Sequence, residues 1–225
     1  MELVLIRHGE PEWVRDGLNI DDPPLTDRGH AQADRLGVAL ADTVFDEIHV
    51  SPLQRARQTA APLLRRQGRA EVVSPWLEEI RNPVWHGTPA EKADAAYAAD
   101  RARPSHERWE GLPGGEPVSD FVARVREACG LFLAERGIVP VRDDLPVWHL
   151  PEPGARYAFV AHAGTNSVII AYLLGLEPVP WEWDRLVLGH ASISRLEVAP
   201  TGDGYVFSLA KLSDVEHLAA TDRTR

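Results

Sequence analysis

The chain is poor in cysteine: Cys129 is the only one in 225 residues. A single thiol cannot close an intramolecular disulfide, so the fold must be held by its core, which suits a reducing compartment. Cys129 lies in Val125–Leu133, a segment with helical apolar spacing, and reads as a small core residue rather than a nucleophile. Long hydrophobic runs are also lacking, and the longest, near Val168–Leu176, is too short to span a bilayer. No basic region followed by a long apolar stretch opens the sequence, so no signal peptide is expected and the expected location is the cytoplasm. Positive charge is in deficit, with 24 Lys and Arg against 34 Asp and Glu and a formal net charge of −10. That balance argues against nucleic acid and against an anionic membrane as partners. It leaves an anionic small substrate open, because a local cluster of arginines can dominate a small pocket. The chain has no internal repeat and no low-complexity tract.

What is present is an ordinary globular composition, 44% hydrophobic and 26% charged, in a length that fits one domain with a substantial insertion. Arg7-His8-Gly9 follows the continuous apolar run Leu3-Val4-Leu5-Ile6, which reads as a buried parallel strand. Thr26 is a good N-cap for a helix with Ala33, Leu36, Ala39 and Leu40 on one face. Glu47–Val50 reads as a second strand, and Ser51-Pro52 as the cap and first residue of a helix running to about Arg66. Val72-Val73 is a short strand. Pro83–Pro113 is Ala-rich, carries two tryptophans and resembles a lid. Ser119–Arg136 is an amphipathic helix with Phe121, Val122, Val125, Cys129, Phe132 and Leu133 on one side. Val139–Gly154, with four prolines, reads as an irregular surface excursion. Tyr157–Ala161 is another buried strand, followed by a helix capped by Thr165 and ended by Gly175. Ser192–Val198 and Tyr205–Ala210 read as closing strands. Strands alternating with helices predict an α/β fold, a three-layer α/β/α sandwich on a mostly parallel sheet.

Three strand-to-helix junctions carry reactive residues: Arg7-His8-Gly9, Ser51 through Arg57, and Ala161-His162-Ala163-Gly164. In a parallel sheet they share one edge, where helix N-termini add donors suited to an anion. With LVLIRHGE at 3–10, these junctions join Pro24–Gly29, Ala31-Gln32-Ala33, Ser51–Ala60, Leu77-Glu78-Glu79-Ile80, Val160–Gly164 and the late Glu216-His217-Leu218. The chain thereby resembles the histidine phosphatase superfamily, also called the phosphoglycerate mutase-like family. The blocks occur in family order over nearly the whole length and are weak only between about 81 and 155, so one domain over 1–225 with a lid or insertion there is expected.

The resemblance implies that His8 is a nucleophile forming a phosphohistidine. Arg7 and Arg55 would clamp the phosphate, and His162 would donate to its oxygens, with Gly9 and Ala163 beside them as further substrate contacts. A neutral imidazole is a good phosphoryl acceptor, provided its other nitrogen is tied by a hydrogen bond. Fixed guanidinium donors stabilise the charge on the equatorial oxygens. Arg57, by helical spacing, points away from Arg55 and reads as a salt-bridged surface residue. Leu-x-Glu-Ile places the general acid on Glu79, with Glu78 a solvated neighbour.

The chain departs from the pattern at Val14, where the family has an asparagine, which Asn19 could replace. It departs again at Arg81–Gly87, so the substrate side is expected to be unusual. Trp13, Trp85 and Trp109 are candidates to line it against an apolar or aromatic leaving group. No metal and no cofactor is implied, since cationic side chains supply the charge, and His86, His106 and His149 lack zinc-ligand spacing. The expected activity is hydrolysis of a small phosphomonoester. A cofactor-dependent phosphoglycerate mutase is the alternative, although family mutases place an arginine after the acid and this chain has Ile80 there. A dense basic cluster for glycerate is not evident, although Arg81, Arg101, Arg103 and Arg108 could contribute. A non-catalytic phosphate-binding module is a third reading, and a homodimer is left open.

Overall fold

The computed structural model describes residues 1–225. Strand β1 (Glu2–Arg7) is covered on both faces from Leu3 to Ile6, as its unbroken apolar text predicts. A hairpin, β2 (Val14–Arg15) and β3 (Leu18–Asn19), turns through Asp16 and Gly17, which both have positive φ, the Asp-Gly chemistry of a tight two-residue turn. Helix α1 (Asp27–Ala39) is capped by Thr26, whose hydroxyl accepts from the Gly29 amide at 3.0 Å. Strand β4 (Glu47–Val50), helix α2 (Gln54–Gln67) and strand β5 (Val72–Val73) follow. Helices α3 (Ala90–Ala102) and α4 (Val118–Ala134) precede the two-residue strands β6 (Val139–Pro140) and β7 (Trp148–His149). Strand β8 (Arg156–Ala161), helix α5 (Ala163–Leu173), the one-turn helix α6 (Glu182–Arg185), β9 (Ile193–Pro200) and β10 (Tyr205–Asp214) complete the main elements.

The sheet order is β5-β4-β8-β1-β9-β10-β7-β6. The block β5-β4-β8-β1 is parallel, and β9, β10, β7 and β6 extend it with antiparallel pairs. Alternate residues of β1 feed two cores: Leu3 and Leu5 join α4 and α5, whereas Val4 and Ile6 join α1 and α2. The result is an α/β/α sandwich with a mixed, mostly parallel sheet. No helix is long and apolar enough to cross a membrane.

Several elements differ from their sequence reading. Helix α2 begins at Gln54, not at Ser51-Pro52; the Ser51 hydroxyl is bonded to His162 at 2.7 Å and otherwise meets only the Leu53 amide, at 3.4 Å. Thr165 lies inside the first turn of α5 and donates to the Glu78 carbonyl at 3.2 Å instead of capping the helix. The stretch 81–155 divides between layers. Helix α3 has no buried residue, whereas α4 places Phe121, Val125 and Cys129 in the main core. Val139–Gly154 contributes β6 and β7 to the sheet edge, with Trp148 and Leu150 buried. Strands of two residues are too short to leave a period in the text.

Candidate active site

Strand register brings the three junctions together. Arg7 is paired with Ala161 across β1 and β8, and Val50 with Val160 across β4 and β8. His8, Ser51 and His162 therefore emerge side by side from one sheet edge. The antiparallel start of β9 reaches the same edge and adds His190.

His8 is buried, and its Nδ1 donates to the Gly9 carbonyl at 2.7 Å. A carbonyl only accepts, so the ring proton sits on Nδ1 and the Nε2 lone pair is free. Burial, then the charges of Arg55, His162 and Arg7, hold the ring well below the usual imidazole range, which keeps it neutral. His162 lies behind it, with ring centroids 5.1 Å apart. Its Nε2 is bonded to Ser51 Oγ, and its buried Nδ1 has no partner in the protein. Burial and the neighbouring arginines push His162 down as well.

Arg7 donates through Nη1 to the Leu188 carbonyl and through Nη2 to His190 Nε2, the latter at 3.0 Å. Burial is the main force pushing it down to about 10, though it stays protonated at neutral pH. Arg55 projects from the buried face of the first turn of α2, under the Trp13 ring at 4.8 Å from the centroid. The Asp22 carboxylate stands 3.7 Å away. Arg7 Nε and Arg55 Nε and Nη1 are buried donors without an acceptor. Each unpaired donor of this kind costs about 1–3 kcal/mol, and clustered at helix N-termini they suit a tetrahedral oxyanion. Arg57 forms a two-point pair with Glu71 at the surface.

Glu79 approaches from the other side. Its Oε2 accepts from the Gly164 amide at 2.9 Å and its Oε1 from the Ile80 amide at 3.0 Å. Arg124 of α4 holds the carbonyls of Glu78 and Glu79, at 3.1 and 2.9 Å. The Glu78 side chain turns outward to Arg81, so Glu79 alone of the pair is on the cavity wall. That cavity is about 400 Å³ and is lined near its floor by Arg7, His8, Arg55, Glu79 and Ala163. His162 and Gly9 lie behind the wall. The Gly9 amide is donated to Thr59 Oγ1, so Gly9 serves the site through its carbonyl rather than by touching substrate.

Of the expected tryptophans, Trp13 lines the cavity. Trp85 is buried edge-on to Tyr97 and Trp109 packs on the main core. Asn19 does not stand in for the missing asparagine, because its amide is committed to the Thr88 and Pro89 carbonyls at 3.2 and 2.8 Å. Sequence reasoning missed Ser51 as a partner of His162, Trp183 on the wall, Arg124, and His190. Only Ser51 carried a signal, standing at a junction already singled out.

The model of the histidine phosphatase superfamily (branch 1) matches residues 3–209. The probable phosphoglycerate mutase GpmB of Erwinia tasmaniensis is 29% identical over 98% of this chain and 96% of its own length. The 2,3-bisphosphoglycerate-dependent phosphoglycerate mutase of Bartonella tribocorum is 43% identical, over 55% of this chain and 64% of its own. A mycobacterial glucosyl-3-phosphoglycerate phosphatase, solved with VO3, superposes with a TM-score of 0.70 at 28% identity, covering 94% of this chain and 98% of the other.

Proposed function

The chain belongs to the histidine phosphatase superfamily, and from that membership we propose that it is a metal-independent phosphomonoesterase acting through a phosphohistidine on His8. The observation that carries the reading is the free Nε2 of His8 in a cavity that also holds Glu79 and the unpaired guanidinium donors of Arg7 and Arg55. In the first step Nε2 attacks phosphorus, the bond to the leaving oxygen breaks, and protonated Glu79 gives that oxygen its proton. In the second step Glu79 takes a proton from water, water oxygen bonds to phosphorus, and the P–N bond breaks to release phosphate and neutral His8. Arg7 and Arg55 bind the equatorial oxygens, where two fixed cations lower the barrier without reorganising. With Ser51 as the donor to His162 Nε2, the Nδ1 proton would be a further donor for the phosphate.

Hydrolysis is favoured over return of the phosphoryl group to a bound glycerate. Ile80, not a cation, follows Glu79 on the wall. Two of the wall arginines are occupied within the protein, Arg81 by Glu78 and Arg108 by Asp100 and Asp184. The rest of the wall mixes apolar side chains, Trp13, Leu112, Val118, Trp183, Val187 and Leu188, with polar ones that include Arg101 and Arg225. The chamber's volume exceeds the need of a phosphate and fits an organic leaving group with an apolar or aromatic face. The mutase reading is favoured by the names of the two curated relatives, and it is tested directly: rapid 2-phosphoglycerate formation from 3-phosphoglycerate with 2,3-bisphosphoglycerate would establish it. The phosphoenzyme is tested by rapid quench during p-nitrophenyl phosphate turnover. Acid-labile, base-stable phosphate on His8, absent in His8→Ala, is the expected result; wild-type turnover by His8→Ala would overturn the mechanism.

A further inference from the structure

Of the two arginines facing the phosphate position, Arg7 is the more constrained. Its guanidinium is fixed by two uncharged acceptors, the Leu188 carbonyl and His190 Nε2. His190 is itself held on its other side, where Nδ1 meets Thr224 Oγ1 at 2.9 Å, and its backbone amide donates to the Thr224 carbonyl at 3.0 Å. Thr224 Oγ1 also accepts from Gln32 Nε2 at 3.0 Å. The orientation of that amide is set because Gln32 Oε1 accepts from the Glu10 amide at 2.7 Å. The chain of contacts therefore runs Glu10, Gln32, Thr224, His190, Arg7, and every member has one consistent donor–acceptor assignment. Since Arg7 can only donate, His190 Nε2 must accept, and its proton must reside on Nδ1 facing Thr224.

We propose that His190 is a positioning residue for Arg7: it holds the phosphate-binding guanidinium by a neutral acceptor nitrogen, and Thr224 anchors the opposite side of the ring. The neutrality matters as much as the geometry. A carboxylate in this place would orient the fork equally well but would cancel the charge the phosphate is meant to meet. An imidazole orients it and leaves the charge intact. Burial first, then Arg7 itself, pushes His190 down to about 3, so the ring remains an acceptor at neutral pH. The ring also lies 5.7 Å from that of His8, centroid to centroid, which places the support directly beside the nucleophile without occupying the wall.

The proposal rests on Arg7 binding phosphate, and the experiment separates the two. KM for p-nitrophenyl phosphate and the inhibition constant for inorganic phosphate are measured for Arg7→Ala, His190→Ala, His190→Gln, His190→Glu, Thr224→Val and Thr224→Ser, with thermal unfolding of each. His190→Ala should raise both constants by ~10-fold or more, the value of a hydrogen bond to a charged group. His190→Gln offers an amide oxygen near the place of Nε2 and should recover most of that loss. His190→Glu should bind phosphate worse than His190→Ala despite its better fit. Thr224→Val leaves the Nδ1–H without its partner and the ring unanchored, and should raise both constants, and Thr224→Ser should restore them. A purely structural role predicts falling melting temperatures with no such ordering of inhibition constants. Wild-type constants in His190→Ala, or equal phosphate binding by the Gln and Glu variants, would overturn the proposal. If Arg7→Ala keeps wild-type phosphate inhibition, the phosphate reading of Arg7 fails instead. Should the His190 variants not fold, the Thr224 pair decides: unchanged constants in Thr224→Val sink the idea.

Discussion

A methyl group at position 164 would sit 2.5 Å from Oε1 of Glu79. The carboxylate is fixed by the Gly164 amide, so it cannot retreat without giving up that bond. Gly164 also lies in the first turn of α5, where alanine is the better helix former. Gly164→Ala is therefore expected to lower kcat by ~10- to 100-fold through displacement of the acid, with a melting temperature no lower than wild type. Glu79→Gln tests the proton itself and should slow turnover by at least ~10²-fold, while Glu78→Gln stays within a few-fold. Wild-type turnover by the first and loss in the second would transfer the role to Glu78. The acid limb of kcat/KM follows from His8. Its ring is held below the ordinary imidazole value, so the neutral nucleophile persists as pH falls below 6.5. The limb should lie on the acid side of that value, and a limb at 6.5 or above would mean that the ring is not shielded as its burial implies.

The β2–β3 hairpin is flanked by one tryptophan that lines the cavity as expected and carries an asparagine whose role differs from what the text suggested. Trp13, just before it, covers Arg55, and Asn19 at its far end ties it to residues 88 and 89 of the covering segment. Asn19→Ala should loosen both, raising KM for aryl phosphates more than it changes kcat, at a cost of about 1–2 kcal/mol in stability. A fall in kcat at constant KM would place Asn19 in the chemistry instead. The elements legible beforehand were those set by local rules. The apolar run of β1, the Thr26 cap and the one-sided pattern of α4 need only their own neighbours in sequence. So did the strand-end positions of Arg7, His8 and His162, because parallel connectivity alone places them on one edge. The illegible features depend on distant partners. Ser51 has the chemistry of a helix cap, but a histidine 111 positions away claims its hydroxyl. Asn19 could as well have faced a phosphate until the covering segment was seen to occupy it. His190 enters through the antiparallel neighbour of β1, and nothing in Gly189-His190-Ala191 announces that pairing.

At the scale of the molecule, three histidines, His8, His162 and His190, are buried neutral in one cluster. Each binds its proton more weakly folded than unfolded. Below about 6.5 the unfolded chain takes up protons that the folded one refuses, so stability is full above that pH and declines as pH falls toward the folded values. Each such histidine contributes about 1.4 kcal/mol per pH unit within its window. The melting temperature should therefore drop between pH 6.5 and 4.5 by more than it does in a His190→Gln variant, which has one fewer refusing site. Equal slopes in the two proteins would show that His190 is accessible to protons in the fold.

The level alignment of β4, β8 and β1 also bears on what can vary in this protein. Adjacent strands stand ~4.8 Å apart, and Arg7, His162 and the turn leading into the helix that bears Arg55 lie at the ends of three neighbours in succession. The gauge of their grip on a phosphate is a property of the peptide ladder, which no side-chain replacement can widen or narrow. The covering segment, by contrast, contributes no strand to the parallel block and can be exchanged without altering the gauge. Inheritance can thus retain one dimension and revise the other. Oxyanions of phosphate's size and shape should compete for the floor with similar strength, whatever the chamber above has come to prefer.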